Sequence, residues 1–110
     1  MIIGATTDQR GMQPQITGIR HIIQECFTVL FDLSAVITSS YRERKAGEKF
    51  SFHHIGMAED YDVMRELLEE EGKQLKQLVS KALGPQYDVL WHKVGNSGYH
   101  LHVEFDPKRG

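Results

Sequence analysis

The chain has 110 residues, a formal net charge of −2, 25% charged and 40% apolar residues, the profile of one small globular domain with a single modest core. That near-neutral balance argues against electrostatic capture by nucleic acid or an anionic membrane, and no apolar run approaches the length of a membrane span. A lone Cys26 excludes an internal disulfide framework.

Residues 1–14 carry Gly, Thr, Gln and Pro14 without hydrophobic periodicity and read as an N-terminal arm or loop. Met1–Asp8 has no basic start followed by an apolar core, so no secretion leader is expected and the chain is expected to be cytoplasmic as synthesised. Residues 15–107 read as one domain, followed by a short tail at 108–110. From Thr17, Ile19, Ile22, Ile23, Cys26, Phe27 and Leu30 recur at three- and four-residue steps, the stripe of an amphipathic helix. Cys26 on that stripe reads as a small buried hydrophobe. His21 beside it reads as partly exposed.

Ser34–Ser39, β-branched in its middle, predicts a strand, and the charged, Gly47-containing stretch 43–49 predicts a surface loop. Met57–Asp60 predicts a second strand with Ala58 and Asp60 on one face. A second helix is expected from about Asp62, with Val63, Met64, Leu67, Leu68, Leu75, Leu78, Val79 and Ala82 as its apolar stripe. Glu69–Glu71 would form its solvated face. Gly72 within that pattern costs about 1 kcal/mol against Ala and suggests a bend, and Gly84-Pro85 is a stop signal. Tyr87–Lys93 and Tyr99–Phe105 predict an antiparallel hairpin, with Gly95–Gly98 rich in turn formers between them. Leu101, Val103 and Phe105 alternate with His100, His102 and Glu104, which separates an apolar face from a polar one. Trp91 and Tyr99 are expected to pack under the hairpin.

The chemistry concentrates in two runs, Ser51–Asp60 and His100–Glu104, which hold four of the six histidines. His53, Asp60 and His102 offer two imidazole nitrogens and one hard carboxylate oxygen. Such a set makes an open zinc site with a coordination position left for water. Gly56 permits a sharp turn between His53 and Asp60. Glu104 shares a face with His102, about 7 Å along an ideal strand, and suits a partner that orients an imidazole or makes a structural ion pair. His54 follows a candidate ligand directly and reads as structural. His92, on the partner strand of the hairpin, could reach the site as a proton donor or oxyanion contact.

The longer pattern, Ser51-x-His53-x-x-Gly56-x-Ala58-x-Asp60 followed by His100-x-His102-Val103-Glu104, closely resembles the zinc D-alanyl-D-alanine peptidases. These share a superfamily with the lysostaphin-type peptidases and the hedgehog signalling domain. Ser39-Ser40-Tyr41-Arg42 is similar to that family's Ser-x-Tyr-Arg segment, so the resemblance runs over about residues 35–106. It implies an α+β fold, in which a small antiparallel sheet carries one zinc ion on one face and two helices cover the other. It makes His53, Asp60 and His102 the ligands and gives His100 the catalytic second-histidine role. Arg42 would hold a substrate carboxylate or carbonyl oxygen, with Ser51 in support. The dipeptidase branch has a general-base Glu three residues before its last ligand. That position is Tyr99 here, so the chain resembles the His-x-His branch. The implied activity is hydrolysis of a peptide bond in peptidoglycan stem peptides or D-Ala-containing peptides. With no leader, either a phage-type lysis enzyme that reaches the wall after membrane breach or a cytosolic dipeptidase fits. The alternative is a metal-binding, catalytically inactive interaction domain of the same fold.

Overall fold

The β-branched and alternating runs fold as strands because their period-two pattern buries one face and leaves the other polar. A computed structural model describes residues 1–93 and 98–108. Its strands are β1 (Ile2–Ile3), β2 (Val36–Ser39), β3 (Ala58–Asp62), β4 (Tyr87–Lys93) and β5 (Tyr99–Phe105). They form a five-stranded sheet in the order β1-β2-β3-β5-β4. The helices are α1 (Pro14–Thr17), α2 (Arg20–Phe31) and α3 (Glu69–Leu83), with a 3₁₀ turn at Phe52–Ile55. Strands β4 and β5 pair antiparallel along their whole length, from Tyr87 opposite Phe105 to Lys93 opposite Tyr99. The turn expected at Gly95–Gly98 lies outside the described residues except for Gly98.

The α+β expectation holds. Ile23, Cys26 and Phe27 of α2 and Leu75 and Val79 of α3 are buried with Ile37, Tyr61, Val89, Leu101 and Val103 of the sheet in one apolar core. Cys26 sits there as a small hydrophobe, and burial pushes its thiol pKa up. His21 is exposed. Among the described residues no helix is long and apolar enough to cross a membrane.

Several local expectations are corrected. The sheet is not wholly antiparallel. The segment read as an arm supplies β1, which pairs parallel with β2 because the chain returns through α1 and α2 between them. Asp8 further along bridges Tyr41. The helix expected from Thr17 begins at Arg20, and ahead of it Pro14 opens the one-turn α1 at the position where a missing N–H costs nothing. The second helix begins at Glu69, not Asp62. Asp62 ends β3, Val63 is buried beneath it, and Met64 and Leu68 are exposed. Glu71 is the reason for the late start, since its carboxylate accepts the Leu68 N–H at 2.9 Å and pairs with Arg65 at 3.0 Å. Glu71 is therefore a cap as well as part of an acidic face. Ala82 also lies on the exposed side. α3 runs unbroken through Gly72. That glycine lies where the Trp91 indole crosses the helix so closely that a Cβ would run into the ring. Trp91 in turn stacks on Tyr99, with ring centroids 5.9 Å apart, but Tyr99 is 54% exposed and so covers Trp91 from outside rather than packing under the hairpin as expected.

Candidate metal centre

Two neighbouring strands and one tight turn assemble the site. β3 and β5 run antiparallel with Asp60 directly opposite His102 and Ala58 opposite Glu104. Both side chains therefore project from the sheet face that the helices leave uncovered. His53 arrives from the 3₁₀ turn. The Ser51 hydroxyl accepts the His53 N–H at 3.2 Å while His54 Nδ1 accepts the Ser51 N–H at 3.0 Å, a reciprocal cap on that turn. Gly56 ends it with φ +71°, and its Cα lies against the Gly11 carbonyl with no room for a side chain.

His53, Asp60 and His102 are all buried, and one ligand atom from each lies within 4.8 Å of the other two, so the group could hold a metal ion. Asp60 Oδ1 is 2.7 Å from His102 Nδ1 and 3.5 Å from His53 Nε2. The far nitrogens are fixed from outside. His53 Nδ1 lies 2.7 Å from the Ser40 carbonyl oxygen. A carbonyl only accepts, so Nδ1 carries a proton and Nε2 is the nitrogen turned toward Asp60. His102 Nε2 lies 2.7 Å from Glu104 Oε1. Each imidazole thus has its outer nitrogen held by an oxygen acceptor, the arrangement that orients histidine ligands around metals.

The electrostatics follow from this packing. Burial alone would raise the Asp60 pKa, but hydrogen bonds and charge from His102 and His53 hold it well below the usual carboxylate range. Burial would lower the His102 pKa, yet Asp60 and Glu104 outweigh it and raise the value. His92 is lowered, first by burial and then by the neighbouring His102.

The other sequence candidates sort by position. His100 shares the site face, is buried, and its Nδ1 is 3.1 Å from the Thr38 hydroxyl. His92 stands opposite His100 across the β4–β5 ladder, its ring centroid 5.4 Å from that of His102. The Nε2 atoms of His92 and His100 are buried without a hydrogen-bond partner among the described residues. Glu104 Oε1 lies against His102 Nε2, a contact that fits either an orienting partner or an ion pair. Ser51 supports the His53 turn through its hydroxyl. His54 is structural, its side chain buried against Glu48. Arg42 donates its backbone N–H to the His53 carbonyl at 3.1 Å, but its guanidinium pairs with Glu48 in the 43–49 loop. Tyr99 alternates away from His102 to the helix-covered side, so it takes no place in the site.

Sequence reasoning missed Glu59. It is completely buried, and all its acceptor positions are filled. Oε1 accepts from Arg20 Nε at 2.7 Å and the Tyr61 hydroxyl at 2.8 Å, while Oε2 accepts from Arg20 Nη2 and the Ser40 hydroxyl, each at 2.6 Å. The signal was an acid at a core-facing position between Ala58 and Tyr61. Its partner Arg20 stands 39 residues away, beyond any local pattern. Comparison with family models, curated proteins and solved structures finds no match to this chain.

Proposed function

We propose that this chain is a zinc-dependent peptidase. The observation that carries the reading is the convergence of His53 Nε2, Asp60 and His102 Nδ1 in a buried cluster whose outer imidazole nitrogens are already held. Two neutral nitrogens and one anionic oxygen suit zinc, and three protein donors leave room for reactant. A zinc ion there would polarise a scissile carbonyl and make water a competent nucleophile near neutral pH.

The remaining chemistry belongs to the chain. His100 Nε2 is buried and unengaged, while Thr38 anchors its Nδ1 side. It is the candidate to accept a proton from attacking water and return it to the leaving amine. His92 Nε2, equally unengaged, is the candidate donor to the oxyanion. Its lowered pKa keeps it a neutral donor near pH 7. Arg42, on the segment between β2 and the His53 turn, would exchange Glu48 for a substrate carboxylate or carbonyl oxygen. The resemblance of the two histidine runs to the D-alanyl-D-alanine peptidases supports a stem peptide or other D-Ala-containing peptide as substrate.

The test is mass-spectrometric analysis of a defined muropeptide mixture incubated with zinc-loaded protein. Cleavage is expected with the wild type, lost with a chelator and reduced about 10²–10⁴-fold in His100→Ala. If the zinc-loaded protein cleaves nothing and His100→Ala behaves identically, the chain is a metal-binding interaction domain instead.

A further inference from the structure

Four side chains from four segments close a hydrogen-bonded ring on the face of β3 away from the metal cluster. Glu59 binds Arg20 through two parallel contacts, Arg20 Nη2 also donates to Gln9 Oε1, Gln9 Nε2 donates to the Ser40 hydroxyl at 2.8 Å, and that hydroxyl donates back to Glu59. Glu59 is fully buried and Ser40 is 1% exposed. A buried ion pair seldom adds stability over an apolar replacement of the same volume, so stability alone is a weak account of it. Glu59 points away from Asp60, and Ser40 is the residue that reaches both sides. Its hydroxyl belongs to the ring and its carbonyl oxygen receives His53 Nδ1 at 2.7 Å. Ser40 follows directly on β2, whose pairing with β3 shifts register between Ile37 and Ser39. The ladder therefore does not itself fix the direction of that carbonyl.

We propose that the Gln9–Arg20–Glu59–Ser40 ring is a positioning device that locks the Ser40 carbonyl and thereby holds His53 in the Nδ1–H tautomer, with Nε2 free to bind metal. The consequence for metal affinity rests on the zinc reading, whereas the consequence for the tautomer does not. Glu59 and Gln9 are positioning residues that touch neither metal nor substrate.

The experiment reads the imidazole ¹⁵N resonances of His53 in metal-free, ¹⁵N-histidine-labelled protein, alongside zinc affinity by chelator competition. In the wild type, Nδ1 should carry the proton and Nε2 should not. In folded Glu59→Gln the two resonances should move toward each other as the tautomers mix, and zinc affinity should fall about 10–100-fold. Ser40→Thr, which keeps both hydroxyl and carbonyl, should retain the wild-type pattern, and Ser40→Ala should not. A folded Glu59→Gln with unaltered His53 resonances overturns the proposal. Should Glu59→Gln fail to fold, Gln9→Ala leaves the ion pair intact and opens the ring. A smaller shift in the same direction is then expected, and no shift overturns it. If the tautomer responds but the wild type binds no zinc, the positioning role stands and the zinc reading falls.

Discussion

A single carboxylate oxygen, Asp60 Oδ1, faces both His102 Nδ1 at 2.7 Å and His53 Nε2 at 3.5 Å. This oxygen favours the charged form of His102, in line with the lowered Asp60 and raised His102 pKa values. A divalent cation would take the place of that proton. Asp60→Asn removes the anionic donor, so zinc retained after desalting should fall from one per chain to well below that in elemental analysis. Glu104→Gln leaves all three donors and alters only the group that orients His102. It should keep one zinc per chain with affinity weakened about 10–100-fold. Equal losses in the two variants would mean that Glu104 itself is a ligand.

The Arg20–Glu59 pair makes an energetic prediction distinct from its tautomer role. Glu59→Leu leaves Arg20, largely buried, without its counter-charge. Urea unfolding should show a loss of about 3–5 kcal/mol. The double variant Glu59→Leu/Arg20→Met removes both charges and should recover most of that stability while leaving the Ser40 carbonyl that faces His53 Nδ1 unlocked. Stability and zinc affinity would then part company, with the first near wild type and the second still reduced.

The site was far more legible than the surroundings that hold it. His53, Asp60 and His102 could be found because donor chemistry restricts residue type, and because a strand's period places His100, His102 and Glu104 on one face. The hairpin and the core stripe of α2 followed from periodicity. The start of α3 was missed because the stripe through Val63, Met64 and Leu67 mimics helical spacing. The actual boundary depends on Glu71 reaching Leu68 and Arg65, a local hydrogen-bond competition that hydrophobic pattern does not register. β1 was invisible, since two residues carry no period, and it forms only because β2 offers an edge. Glu59 was passed over although it is an acid on the core-facing side of β3, and Arg20, Ser40 and Gln9 are brought to it by tertiary packing alone.

Gly72 sets two known effects against each other. An alanine there would gain about 1 kcal/mol in helix propensity. Its Cβ would, however, collide with the Trp91 indole, which Tyr99 holds from the other side. Overpacking of this kind costs about 1–3 kcal/mol, and a rigid ring cannot give way as a flexible side chain can. Gly72→Ala should therefore lower stability in urea denaturation, and Gly72→Ala combined with Trp91→Leu should be less destabilised than the sum of the two single changes. An additive outcome would mean that the ring and the helix do not touch in solution.

Acid should loosen the start of α3 before it unfolds the core. Glu71 has its pKa lowered from 4.5 to about 2, chiefly by the Arg65 hydrogen bonds and then by the Leu68 N–H. A depressed carboxyl pKa contributes stability that is present above the unfolded value and is lost as pH falls through the folded one. The cap should accordingly be intact above about pH 4.5 and weaken progressively toward pH 2. Both partners are solvent-accessible, so the effect is local and screened by salt. The protection of the Leu68 amide, measured relative to its intrinsic exchange rate at each pH, should fall over that interval while Leu101 and Val103 in the interior strand β5 stay protected. In Glu71→Gln the cap keeps an oxygen acceptor but loses its charge, so protection at Leu68 should be lower than in wild type at pH 7 and should no longer change between pH 4.5 and 2.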